Sequence, residues 1–260
     1  MPTNMFRAHS LLWHYLWVGP NLFLLALGWL LSKRGLHRRF PAFFAFATLG
    51  AVSELAVYLA DVSPSVSPET FWYVVWFSLL VEGPLKFALI GEIFAQVFDS
   101  YTSVARLGRQ LIQGLGVFLV LTAALLAAYA PMDNTLGIIA GAHLLEQAIY
   151  LVESGLLLFI FLFAGYFSLR FSRPGLGIAL GLAISACVHL ASWAVLANGG
   201  LPDSKRNILD FLNMATYHAC VLMWFYYLLV PEKAVAKSAV PLPENNLAVW
   251  NRELERLLQQ

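Results

Sequence analysis

Three stretches of the chain, 8–32, 110–132 and 174–202, contain no Asp, Glu, Lys or Arg. About 20 mostly apolar residues suffice to cross the hydrocarbon core of a bilayer as a helix. Within lipid, a helix satisfies its own backbone hydrogen bonds and an irregular segment does not. The chain is therefore constrained to an all-α, polytopic membrane fold. Composition agrees, with 60% of the 260 residues hydrophobic and 12% charged, against roughly 45–50% and 25% in soluble domains. A mean hydropathy of +0.70 excludes an ordinary water-soluble domain and a disordered chain alike.

Seven segments have the length and apolarity of spans, at about 10–32, 40–61, 70–97, 110–130, 138–169, 175–197 and 208–230. They make residues 1–230 a seven-transmembrane-helix bundle and leave 231–260 as a tail. The first span is read as retained rather than cleaved. It is too long for a signal-peptide core and lacks a small-residue cleavage site. Lys33, Arg34, Arg38 and Arg39 follow it at once.

Those four fall on the same side as Arg106, Arg109, Arg170, Arg173, Lys233, Lys237, Arg252 and Arg256. Arg7, Lys205 and Arg206 lie on the other side, and Lys86 is inside a span. Lys and Arg accumulate in cytoplasmic loops. The expected topology therefore has the N-terminus outside and the C-terminus cytoplasmic, with a bacterial inner membrane as the expected location. Trp13, Trp17, Trp72, Trp76 and Trp193 fall near the outer ends, where an interfacial aromatic belt belongs.

A net charge of +1 offers no field for nucleic acid. Cys187 and Cys220 lie in apolar runs and read as core residues. The loops are too short to hold a soluble domain. The tail carries a helix candidate over 246–259, where Leu247, Trp250, Leu254, Leu257 and Leu258 form one apolar stripe. That stripe suits the membrane surface, the underside of the bundle, or docking of a membrane or cytoplasmic protein partner.

Ionisable groups inside a bilayer are costly and point to function. In the fifth span His143, Glu146, Tyr150 and Glu153 follow i, i+3, i+7 and i+10, one helical stripe. In the third, Glu82 and Lys86 are an i, i+4 pair around Pro84. Glu92, nearer the cytoplasm, is expected to meet Arg106 or Arg109. Glu54 with Tyr58 and Asp61, His189 with Ser185 and Ser192, and Asp210 with Asn213 and Tyr217 mark faces of three more spans. His218 lies about 80° from the last of these faces. In its middle and outer half the fourth span offers only Thr122, and it reads as a lipid-facing support.

At about 1.5 Å rise per residue, Glu82, Glu153, His189 and His218 share one depth near the span centres. The expected site is an outward-facing polar pocket of Glu54, Glu82, Lys86, Glu146, Tyr150, Glu153, His189, Asp210 and His218. It would bind a small ligand, ion or proton in a receptor-like or transport-like protein. A second reading is a membrane-embedded hydrolase-like enzyme holding zinc or iron on His189, His218 and Glu153. A third is a structural subunit of a larger membrane complex. A bis-His haem on His189 and His218 is the weaker cofactor reading. So is retinal on Lys86, because the last span carries no lysine for a Schiff base.

Overall fold

The computed structural model of the chain describes residues 9–129, 135–167, 169–197, 203–230 and 246–258. Residues 198–202, Arg7, Lys233, Lys237 and the rest of 231–245 lie outside them, as do the side chains of Lys205, Leu247, Leu254, Leu257 and Leu258. Among the described residues there are helices and no strands. We number them α1 (Leu11–Lys33), α2 (Pro41–Val62), α3 (Pro68–Val97), α4 (Thr102–Tyr129), α5 (Thr135–Tyr166), α6 (Arg173–Ala197), α7 (Asp203–Leu229) and α8 (Asn246–Leu258).

Among the described residues, all of α1, α2 and α3 and most of α5, α6 and α7 are long and apolar enough to cross a membrane. Side chains at 119–120 and 123–129 of α4 are not described, and α4 is not among these six. Large apolar side chains stand exposed around the outside, among them Leu22, Trp29, Leu59, Phe77, Phe118, Leu151 and Leu162. An apolar surface of that extent is unstable in water and matches lipid. The chain is a multi-pass helical membrane protein.

Six helices close a ring in the order α1–α2–α3–α5–α6–α7, with α7 returning to α1. Helix α4 packs outside the ring, against α3 and α5, and α8 lies against α4. Close approach relies on small residues, as is general where lipid provides no hydrophobic drive between helices. In α6, Gly177 and Gly181 lie one turn apart and receive Tyr227 and Trp224 of α7. A methyl group on either glycine would overlap those rings.

In α2 the segment Phe46–Gly50 is a π turn, where each hydrogen bond encloses one extra residue. Phe46 and Glu54 are eight residues apart, about 80° on a regular helix; absorbing one residue reduces this to about 20°. Both side chains therefore reach the ring interior. A Cβ on Gly28 of α1 would come 2.7 Å from Thr48 Cγ2 in that turn, so the neighbouring helix is fitted to it.

The half of the ring that holds the end of α1 and the start of α2 is filled. Leu24, Leu27 and Leu31, Phe43 and Ala47, Leu89 and Ile90, Leu157 and Ile160, Ile178, Val221 and Trp224 form one continuous buried cluster. At the same end, helix termini are capped from neighbouring helices. Ala42 N and Phe43 N at the start of α2 donate to Glu92 Oε2 of α3 at 2.6 and 3.3 Å. Ser103 N and Val104 N of α4 donate to Asn251 Oδ1 of α8. Arg34 Nη1 donates to Leu229 O, the last residue of α7. Glu92 thus hydrogen-bonds the backbone of α2, and the expected meeting with Arg109 takes the form of a longer-range electrostatic interaction. A carboxylate at a helix N-terminus meets both unpaired N–H groups and the positive end of the dipole. The tail helix rests on the bundle through Asn251, leaving Trp250 exposed.

Candidate functional site

The ring encloses a cavity of about 400 Å³. Every ring helix contributes to its wall, and among the described residues α4 contributes nothing. Its apolar floor is made by Phe46, Leu182 and Trp224, which also belong to the buried cluster below. Above the floor stand Glu54, Glu82, Lys86, Glu146, Tyr150, Glu153, His189 and Asp210.

Lys86 is the central cation. Its Nζ lies 3.8 Å from Glu82 Oε2 on its own helix and 3.6 Å from Glu153 Oε2 on α5. It also stands 4.0 Å from the centroid of the Tyr150 ring, over its face. Lys86 and Glu153 are buried, at 7% and 1% exposure. Neither charge tolerates such burial alone, so the pair holds α3 against α5. The other flank of Tyr150 meets the His189 ring, stacked at 4.0 Å and 27°. His189 Nε2 lies 3.1 Å from Glu146 Oε1. The same carboxyl group is 3.7 Å from His143 Nδ1, whose ring packs edge-on to Trp72 and Trp193. The α5 stripe is thus read successively by α3 and α6.

On the α2 side, Ser53 Oγ donates to Ser78 Oγ at 3.0 Å, and Ser78 Oγ donates to Glu54 Oε1 at 3.3 Å. This orients Glu54 toward α3. Between α6 and α7, Ser192 Oγ lies 3.0 Å from Asn213 Oδ1.

Eight of the nine pocket residues expected from the sequence line this one cavity. The ninth, His218, does not. Its Nε2 lies 3.4 Å from Tyr15 OH and its ring packs on Phe23 of α1, outside the cavity wall. The offset of about 80° around the axis of α7 turns it toward α1. The proposed metal set of His189, His218 and Glu153 is consequently not assembled. Among the described residues no three His, Cys, Asp or Glu side chains form a group that could hold a metal ion. Tyr58 and Asp61 also turn from Glu54. Tyr58 OH is 3.0 Å from His14 Nδ1, and Asp61 Oδ2 is 3.9 Å from His9 Nδ1.

Several wall residues escaped the sequence reading. Trp13 and Trp17, placed there in an interfacial belt, line the cavity instead. Asn21 was not singled out, although Trp13, Trp17 and Asn21 form an i, i+4, i+8 series continuous with Leu24. Asn21 Nδ2 donates to Trp17 O at 2.8 Å, while its Oδ1 is buried with no hydrogen-bond partner. Trp224 Nε1 at the floor is likewise buried and unpaired. No known family model, curated protein or solved structure matches the chain.

Proposed function

We propose that this protein is a seven-span membrane protein, N-terminus outside and C-terminus cytoplasmic, whose intramembrane pocket binds a small ligand, ion or proton from the outside. The observation that carries the reading is the single cavity on which eight ionisable or hydrogen-bonding side chains from α2, α3, α5, α6 and α7 converge. Ionisable groups placed together in a span mark a ligand or ion site by default. A volume of this size is in the range of small-molecule pockets. The seventh span is α4, whose run 110–132 carries no charged residue. The Lys/Arg bias supports the orientation and an inner, cytoplasm-bounding membrane.

A receptor-like role fits better than a conduit, because the cavity ends on Phe46, Leu182 and Trp224 and the apolar cluster continues below them. Under the proposed topology the open end faces outward, toward Trp13 and Asp210.

Thiol accessibility tests this. Cys187 and Cys220 are first replaced by Ala, giving a background without cysteine. Ser185→Cys and Asn213→Cys should then react with a membrane-impermeant methanethiosulfonate added outside whole cells. Leu89→Cys should not react, and Arg39→Cys should react only after permeabilisation. Labelling of Ser185→Cys and Asn213→Cys solely from the cytoplasmic side would overturn the orientation. No labelling from either side would overturn the pocket.

A further inference from the structure

The cavity is unbalanced in charge and incomplete in hydrogen bonding, and the two facts together describe a ligand. Five carboxyl groups line it, those of Glu54, Glu82, Glu146, Glu153 and Asp210, against one lysine and one histidine. Lys86 is shared by Glu82 and Glu153. His189 is held by Glu146. Among the described residues no cation lies within ion-pair distance of Glu54 or Asp210; Glu54 interacts with Lys86, and Asp210 with His189 and Arg206, only at longer range. A wall of that sign attracts a cation and repels an anion.

The second fact is independent of the first. Asn21, 2% exposed, and Trp224, fully buried, both line the cavity, and each presents one polar atom with no partner. Asn21 Oδ1 is an acceptor and Trp224 Nε1 is a donor only. A bare metal ion or proton supplies nothing for an N–H donor. A hydroxyl group supplies both, donating to the amide oxygen and accepting from the indole. Leaving such atoms unpaired is costly, so a ligand that pairs them gains selectivity over one that does not. Trp13, Trp17 and Tyr217 add aromatic walls suited to an apolar or cationic body.

We propose that the pocket takes a small organic cation bearing a neutral hydroxyl-type group at its other end, the ammonium held by Glu54 and Asp210 and the hydroxyl by Asn21 and Trp224. This rests on the pocket reading above and specifies its ligand class.

Tyramine is a probe with both features. Phenethylamine lacks the hydroxyl, 4-ethylphenol lacks the charge, and 3-(4-hydroxyphenyl)propionate reverses it. Calorimetric titration of the detergent-purified full chain should show saturable tyramine binding, with each of the other three at least tenfold weaker. Glu54→Gln should weaken tyramine tenfold or more. Asp210→Asn, at an exposed position, gives the same readout if the first variant fails to fold. Asn21→Leu should weaken tyramine and leave phenethylamine unchanged, which a merely structural role for Asn21 would not produce. Equal or tighter binding of the phenol or the carboxylate overturns the proposal. So does absence of amine binding to protein whose Ser185→Cys variant is labelled from outside. Absence of that labelling overturns the pocket itself, and this proposal with it.

Discussion

Lys86 shows how much a single side chain can hold. Its ammonium bridges Glu82 and Glu153 and caps the Tyr150 ring, so three groups on two helices depend on it. Breaking a buried ion pair by deleting one partner costs about 3–5 kcal/mol, because the other charge stays buried. Lys86→Met should therefore lower stability by about that amount in denaturant titrations in detergent. Adding Glu153→Gln should restore part of the loss. A Lys86→Met protein as stable as the parent would show that the cluster is hydrated and not held by the pair. Gly181 makes a second residue-scale case. Its absent side chain leaves room for the Trp224 indole. Gly181→Ala should cost about 1–3 kcal/mol through overpacking, measured as a drop in melting temperature, and should disturb the cavity floor. The Glu82–Lys86 pair was legible in sequence because both groups sit on one helix at a fixed spacing. The Lys86–Glu153 contact was not, since it depends on the register of α3 against α5. His218 was misplaced for a related reason. Rise per residue addresses depth alone, and the lateral assignment requires knowing which neighbour the helix faces.

At the scale of elements, three helix ends on one side of the ring are finished by side chains from elsewhere. Glu92 of α3 caps α2, Asn251 of α8 caps α4, and Arg34 after α1 meets the last carbonyl of α7. At the opposite end the recorded caps are local, Ser10 to Trp13 and Ser67 to Thr70, and helices are joined there through side chains such as Trp76, which donates to Ile138 O, and Tyr58, which meets His14. Asn251→Ala should cost about 1 kcal/mol, the usual value of an N-cap. Its local signature should be faster amide exchange at Ser103 and Val104 together with easier proteolysis of the tail. Unchanged exchange at those two amides would show that α8 does not cap α4 in solution. Helix existence was readable from apolar runs to within a few residues, because length and charge are local properties. The π turn was not readable, since nothing in Phe46–Gly50 announces it; its effect is to return Glu54 to the face of Phe46. The exclusion of α4 from the ring was foreshadowed by the near absence of polar side chains after Gln113, but the order of the other six depends on packing between distant segments.

For the whole molecule, the decisive feature is that the polar cavity stops part of the way through the ring. Purified protein in a planar bilayer should carry no measurable current under an applied voltage. Thinning the seal with Leu157→Ala, Leu182→Ala and Phe46→Ala together should introduce a leak, and a steady current through the unaltered protein would show that the seal is not continuous. A blind cavity also changes where voltage acts. Water and mobile ions in the open half short-circuit that part of the membrane field, so most of the potential falls across the thin apolar plug. A unit charge crossing a full 100 mV drop experiences about 2.3 kcal/mol. In the proposed reading the Lys86–Glu153 pair on the cavity wall borders that steep region, so the pocket would meet the chemistry of one compartment while the insulation between the two remains intact.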